Sequence, residues 1–469
     1  MRLLLAGLLL SGPALAATPE QKLAAWIRPV DAARMKASVE SLVALGTRHT
    51  LSSQTDPNRG IGAAWTLVEA AFRKAGLEPV RVCDTVSGDR LPAPVRVCDI
   101  LAVQRGTERP NDVAIISGHL DSRVSDVMDS VRDAPGANDD GSGTAAVLEA
   151  ARVLAPRRFA GTIVFAVLTG EEQGLYGGKI LADHATRQRW NVVATLNNDI
   201  IGNSCGSDGV CDAKTVRVFS EGPRWQGHEA LAAAQRALGG ENDSPSRNLS
   251  RFLAGLATRV PSIGLTVRQV WRTDRFGRGG DHIEMLDAGF PAVRLSVAVE
   301  NYRRQHQDVR VEKGIDYGDT VRGMDFAYLA KITRLNVAAL AALASAPPPP
   351  APTVEGAVST DTKLSWKPVR GATGYVVRWR RTDGSAFTRE KPVAAKWACF
   401  TNSSLHAPAT GKGISETFEP MCEQVLPHIR VDDWVFGVSS LSADGFESPV
   451  ASAVPGGAFG PYVKASDGK

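Results

Sequence analysis

The chain has 469 residues, yet no run of Lys and Arg marks a basic face, and the formal net charge is only +4. That balance argues against nucleic acid as a partner. None of the six cysteines stands in a Cys-x-x-Cys pair, which removes the common spacing of a zinc–thiolate site. The apolar run at the start, Met1-Arg-Leu-Leu-Leu-Ala-Gly-Leu-Leu-Leu10, falls well short of the roughly 20 residues that a membrane span needs, and no Cys follows it to carry a lipid. Membrane insertion is not expected.

What that run does have is one positive charge, a short apolar core and an Ala-x-Ala ending at Ala16. It reads as a signal peptide over residues 1–16 and predicts an exported protein, secreted or periplasmic. In an oxidising compartment an even cysteine count favours disulfides. The sequence-local pairs Cys83 with Cys98, Cys205 with Cys211 and Cys399 with Cys422 are the expected partners.

A composition of 43% hydrophobic and 22% charged residues suits a soluble protein of more than one domain. Four prolines in Ala344-Ser-Ala-Pro-Pro-Pro-Pro-Ala-Pro352 cannot continue the Ala-rich helix before them, Tyr328 to Leu343, and favour a stiff spacer. The chain is thus expected to divide into a large domain, 17–345, a linker, 346–352, a small domain, 353–460, and a tail, 461–469. In the small domain Lys363-Leu-Ser-Trp366, Gly374-Tyr-Val-Val-Arg-Trp379 and Trp434-Val-Phe-Gly-Val-Ser439 alternate as strands do. Together with the hairpin Ser442 to Ser448, Trp366 and Tyr375 resemble a fibronectin type III β-sandwich. Cys399 to Cys422 would staple a long insertion between its middle strands. That resemblance implies no catalysis, and leaves binding to a surface or a protein partner as the role of this domain.

In the large domain, strands at Val113–Ser117, Thr162–Thr169, Val192–Asn198 and Ala292–Ser296 alternate with helices such as Gly143–Leu154. Such alternation predicts an α/β fold, a mainly parallel sheet flanked by helices on both faces. Chemistry then belongs at the carboxyl ends of the strands. The first strand runs into Gly118-His119-Leu-Asp121-Ser122, an imidazole and a carboxylate two residues apart. Next comes Gly136-Ala-Asn-Asp139-Asp140-Gly-Ser-Gly143 at a helix start, where an acidic N-cap explains one acid but not two. Glu171 and Glu172 follow the strand Thr162–Thr169, and Asn198-Asp199-Ile-Ile-Gly202 ends the strand Val192–Asn198.

This ordered set is similar to family 28 of the metallopeptidases, secreted bacterial di-zinc aminopeptidases and their carboxypeptidase relatives, over about Leu42 to Leu343. The resemblance implies a zinc-dependent exopeptidase fold and two zinc ions per chain. It makes His119 and Asp199 ligands of one ion, Glu172 a ligand of the other, and Asp139 the bridge. It implies that Glu171 is the general base acting on a hydroxide held between the ions, that Asp121 orients His119, and that the Asp139–Asp140 peptide is cis. The last histidine ligand is either His282 or His306. His306 is chosen, because it follows the Gly289-Phe-Pro-Ala-Val293 strand as the family's ligand does, although Gln307-Asp308 departs from the family's usual pattern. His49, His184, His228, His406 and His428 are assigned to surface or packing.

One histidine and one terminal carboxylate per ion, with a shared carboxylate, leave each an open position, as catalysis requires. A free amine can bind such a pair, so peptide substrates cleaved at the amino end are expected. The loop Gly202 to Asp212 leaves directly from Asp199 and is a candidate wall of the side-chain pocket, with surface stapling as the alternative. Two other classes stay open: a transferase like the glutaminyl cyclases, with one zinc, and a binding protein without turnover.

Overall fold

In a computed structural model, residues 17–224, 229–406 and 415–454 are described. The signal sequence, His228, the end of the small domain and the tail lie outside the described residues.

An eight-stranded sheet forms the centre, from β1 (Pro79–Gly88), β2 (Leu91–Gln104), β3 (Arg109–His119), β4 (Gly161–Leu168), β5 (Asn191–Asn198), β6 (Thr215–Ser220), β7 (Thr266–Val270) and β8 (Ala292–Val297). Its order is β1-β2-β4-β3-β5-β8-β6-β7. The middle strands β4, β3, β5 and β8 are all parallel. β2 pairs antiparallel with β4, and β6 antiparallel with β8. The chain passes from β3 to β4 on one side and then to β5 on the other, so the order reverses beside β3. That reversal opens a crevice at the carboxyl ends of these strands, the place where open α/β sheets take their ligands.

Period-two alternation divides the middle strands between two cores. Ala114, Ile116, Phe165, Val167 and Leu196 face a large cluster with the helices Ala32–Val43, Ile61–Lys74, Gly141–Leu154 and Phe326–Ser345. Val113, Ile115, Val164, Ala166 and Leu168 face a smaller one with Leu181, Ala182 and Met285 from the helices Tyr176–Arg187 and His282–Asp287. Every residue of β4 is buried, as a strand covered on both faces must be. Helix Phe326–Ser345 is apolar and long enough to cross a membrane, but it is a core helix, mostly buried inside the protein.

Residues 353–452 form two four-stranded antiparallel sheets. Trp366 of one sheet meets Tyr375 of the other edge-on at 5.1 Å, inside a core that also holds Leu364, Val377, Phe436 and Val438. The sheets therefore pack face to face. The three disulfides join the sequence-local pairs, and each links residues that face each other across antiparallel chains: Cys83–Cys98, Cys205–Cys211 and Cys399–Cys422.

The proline segment packs against the large domain. Pro347 and Pro350 are buried, and Arg109 Nη2 donates to Ala346 O at 2.8 Å. A polyproline stretch makes no internal hydrogen bonds, so its carbonyls are available to a neighbour, and here the neighbour is the large domain. Further contacts tie the two units together. Trp26 stacks on Phe446 with ring centroids 5.8 Å apart. Asp243, wholly buried, pairs with Arg380 and accepts from Ser452 Oγ at 2.8 Å. Replacing Asp243 with Ala strands the buried Arg380 and is expected to cost about 3–5 kcal/mol in denaturant unfolding. A loss under about 1 kcal/mol would show that this pair does not hold the units together.

Candidate metal centre

The residues singled out in the sequence come from four strand ends and one turn. His119 ends β3, Glu171 and Glu172 follow β4, Asp199 follows β5, and His306 lies in the segment after β8. Asp139 stands on the turn before helix Gly141–Leu154, and the two adjacent acids there have different work. Asp140 caps the helix, its Oδ1 accepting from Gly143 N at 2.8 Å, while its Oδ2 accepts from His119 N at 3.0 Å. Only glycine fits at 143, where a Cβ would stand 2.2 Å from Asp140 Oδ2 and 2.3 Å from Asn198 O. Asp139 is left to face the crevice, across a cis peptide bond to Asp140.

Asp139 divides its carboxylate. Oδ1 lies 3.2 Å from His119 Nε2 and Oδ2 lies 3.0 Å from His306 Nε2. His306 Nε2 is also 3.2 Å from Glu172 Oε1. Two groups result, each with ligand atoms within 4.8 Å of one another: His119, Glu171 and Asp199, and Asp139, Glu172 and His306. Donors bound to one tetrahedral zinc at about 2.0–2.1 Å stand roughly 3.3 Å apart, so the contacts around Asp139 have the spacing of a ligand shell. Glu172 Oε1 is buried with His306 Nε2 as its near polar neighbour and no further hydrogen bond, so it has a lone pair free for a cation. The donor set of imidazole nitrogen and carboxylate oxygen suits zinc. These residues therefore fit the metal.

Their support is specific. The Asp121 carboxylate accepts from the backbone N–H groups of Gly170, Glu171 and Glu172 at 2.9, 3.3 and 3.1 Å, and from Thr50 Oγ1 at 3.0 Å. It fixes the glutamate turn at least as much as it touches His119, whose Nδ1 is 3.5 Å from Asp121 Oδ1 and 3.0 Å from the Asp121 carbonyl oxygen. Asp319 accepts from the N–H groups of Asn138 and Asp139, the latter at 2.7 Å. Arg294, with no exposed surface, gives Nη2 to Asp199 Oδ1 at 2.8 Å and Nη1 to Asp274 Oδ2 at 3.0 Å. Ile200 and His306 take φ of 57° and 53°, a left-handed backbone that is costly for such side chains and concentrates at functional sites.

Electrostatics separate Glu171 from Asp139. Burial, with repulsion from Asp199, Glu172 and Asp281, pushes the Glu171 carboxyl well above the usual range, against the pull of His119. Burial would raise Asp139 too, yet hydrogen bonds from His119 and His306 hold it well below that range. For His306, burial acts downward, but Glu172 and Asp139 lift it to about 10. Burial and neighbouring carboxylates raise Asp281 to about 7.

Among the other histidines, His282 belongs to neither group. It is buried, its Nε2 2.9 Å from Thr273 O and 3.8 Å from Asp274 Oδ2. His49 is buried beside Val127 O and Gln173, and His184 meets Trp190 edge-on. Of the two roles open to the disulfide loop, a wall of the crevice is not the one it takes. None of Gly202 to Asp212 lines the cavity above the centre. The loop instead supports the segment that carries His306: Asn301 Nδ2 donates to Cys205 O at 3.3 Å, and Ser207 N to Glu300 O at 3.3 Å.

Arg294 and Asp319 were missed in the sequence. Arg294 had a signal, a lone charge within the apolar strand Ala292-Val-Arg-Leu-Ser296, since a buried charge requires a partner. Asp319 had none. The Arg294 pairing yields a pH prediction. Burial alone would raise Asp274, but Arg294, His282 and Arg275 lower it from 3.8 to about 2. Its stabilisation is thus full above pH 3.8 and lost as pH falls through 2, a contribution of about 2 kcal/mol. Stability should fall more steeply between pH 4 and 2 in the native protein than in Asp274→Asn. Parallel profiles would contradict the pairing.

Comparison with known proteins places this geometry. Residues 99–320 match peptidase family M28. A probable zinc metalloprotease of Leptosphaeria maculans is 40% identical over 449 residues, 93% of this chain and 98% of that protein. One from Pyricularia oryzae is 42% identical over 455 residues, 93% of this chain and 85% of its own length. Among solved structures, the LapA aminopeptidase of Legionella pneumophila shares the fold, with a TM-score of 0.51 at 20% identity over 70% of this chain and 75% of that one. The matched span contains every residue of the two ligand groups, and the chain belongs to peptidase family M28, as a zinc-dependent peptidase.

Proposed function

We propose that the chain is a secreted aminopeptidase with two zinc ions, releasing the N-terminal residue of short peptides. The observation that carries this reading is the divided carboxylate of Asp139, one oxygen toward His119 and the other toward His306. In this reading His119 and Asp199 hold one ion, Glu172 and His306 hold the other, and Asp139 serves both. What zinc supplies when bound is Lewis acidity, which polarises the scissile carbonyl and makes water a better nucleophile.

The remaining work falls to the chain. Glu171 is half-buried, lines the cavity and has a raised proton affinity. Those properties suit a group that takes a proton from the attacking water and passes it to the leaving amine. Asp121 positions it through the backbone N–H groups of the turn. A free substrate amine is a further ligand for a metal pair, which selects the amino end. LapA, an aminopeptidase, shares the fold. Three disulfides support an oxidising destination. The two packed antiparallel sheets at the C-terminal end support a fibronectin type III-like module, for which we propose adhesion to a surface or a protein partner.

The decisive assay is hydrolysis of free-amine and amino-blocked peptides with and without a chelator. Cleavage of free-amine peptides alone, abolished by chelation, is expected; comparable cleavage of blocked peptides would refute the aminopeptidase reading. Zinc content separates the rivals, since one ion per chain favours a cyclase-like transferase. Glu171→Gln should keep both ions and lose about 10²–10⁴-fold in kcat. Glu172→Gln should lose zinc; full zinc content in that variant would contradict its role as a ligand.

A further inference from the structure

The cavity above the centre, about 590 Å³, has basic walls. Beyond the proposed ligands and Glu171, its charged lining consists of Arg90, Arg123, Arg275 and Arg278 against the single acid Asp89. The whole chain is nearly balanced, with 54 Lys and Arg against 50 Asp and Glu, so this excess is local. Among the described residues, Leu175 and the ring of Tyr176 are the only large apolar side chains in the wall. Such a lining is a poor receptor for an apolar residue.

The guanidinium groups also outnumber the carboxylates around them. Arg123 reaches a carboxylate only at Glu172 Oε2, 3.9 Å away, and otherwise donates to the carbonyls of Val124 and Ser125. Arg90 donates to Glu172 O at 2.9 Å. On the Asp199 side, Glu300 is shared by Arg217 at 2.6 Å, Arg278 at 3.2 Å and Arg275 at 3.7 Å, and Arg275 Nη1 is buried without a hydrogen bond. Asp274 is shared by Arg275 and Arg294, each at 3.0 Å. Arg294's other carboxylate is Asp199, a proposed zinc ligand.

We infer that this cavity selects substrates with a carboxylate next to the scissile bond, and that Arg123 and Arg278 are the residues that recognise it. This rests on the exopeptidase reading of the same centre. Both side chains keep some exposure, 15% and 33%, on the cavity wall. A guanidinium fork matches a carboxylate with two parallel charged hydrogen bonds. The carboxylate has two possible sources, an acidic side chain or the C-terminus of a dipeptide.

Three peptides distinguish them on the zinc-loaded protein: Leu-Ala-amide, Glu-Ala-amide and Leu-Ala with a free terminus. One or both carboxylate-bearing peptides should exceed Leu-Ala-amide in kcat/KM by about tenfold or more, chiefly through KM. An advantage of Glu-Ala-amide alone identifies the side chain, and an advantage of Leu-Ala alone identifies the terminus. That ratio should collapse in Arg123→Gln and in Arg278→Gln, with partial recovery in Arg278→Lys. Should none of the three turn over, their dissociation constants by calorimetry carry the same comparison. Equal values for all three peptides, or a ratio unchanged in both Gln variants, would overturn the inference and leave the aminopeptidase reading standing. Cleavage confined to amino-blocked acidic peptides would overturn the aminopeptidase reading and leave carboxylate selection standing.

Discussion

Concentrated negative charge at one end of the sheet is the constraint on which the rest of the structure depends. Asp121, Asp139, Asp140, Glu172, Asp199, Asp281 and Asp319 are all buried there, with Glu171 half-buried beside them. Carboxylates so close cannot all stay ionised out of water without cations or donors. Part of the compensation is built into the chain. Arg48 gives its guanidinium to carbonyls around the Asp139 turn, Arg294 meets Asp199, and backbone N–H groups meet Asp121 and Asp319. What remains is an excess of carboxylates, Asp139, Glu171, Glu172 and Asp199, around His119 and His306. Zinc balances such a site, and the curated relatives of the chain are probable zinc metalloproteases.

The same constraint explains why the centre sits where it does. Parallel strands buried on both faces carry few polar groups along their length, so polar side chains collect at their ends. The reversal of strand order beside β3 keeps that end open. Helix Gly141–Leu154 can approach closely only because Gly118 and Gly143 lack side chains at their contact, where a Cβ on Gly118 would stand 2.6 Å from the Gly143 carbonyl carbon. Packing of the sheet and placement of Asp139 are therefore one event.

Much of this was legible in the sequence, for physical reasons that differ between residues. β4 announces itself as an unbroken apolar run, and the glutamates after it are the first polar groups the chain can place in the crevice. His119, Asp139 and Asp199 stand at comparable breaks in pattern. His306 lies in a loop with no periodicity, and only its position after β8 pointed to it. The supporting groups were less visible. Arg294 looks like an oddity in a strand until Asp199 and Asp274 are seen on either side of it. Asp319 acts across more than a hundred residues of chain on the Asp139 turn. The arginines of the cavity come from separate segments, and no local spacing joins them. The role of the disulfide loop stayed open because nearness in sequence to Asp199 does not fix nearness to the cavity.

In the proposed function Asp139 is shared by two zinc ions. Anomalous diffraction at the zinc absorption edge, from crystals grown with zinc, tests it most directly. Two peaks roughly 3.5–4 Å apart are predicted, one beside His119 and Asp199, the other beside Glu172 and His306, with one Asp139 oxygen toward each. A single peak, or two that leave Asp139 uncoordinated, would contradict it.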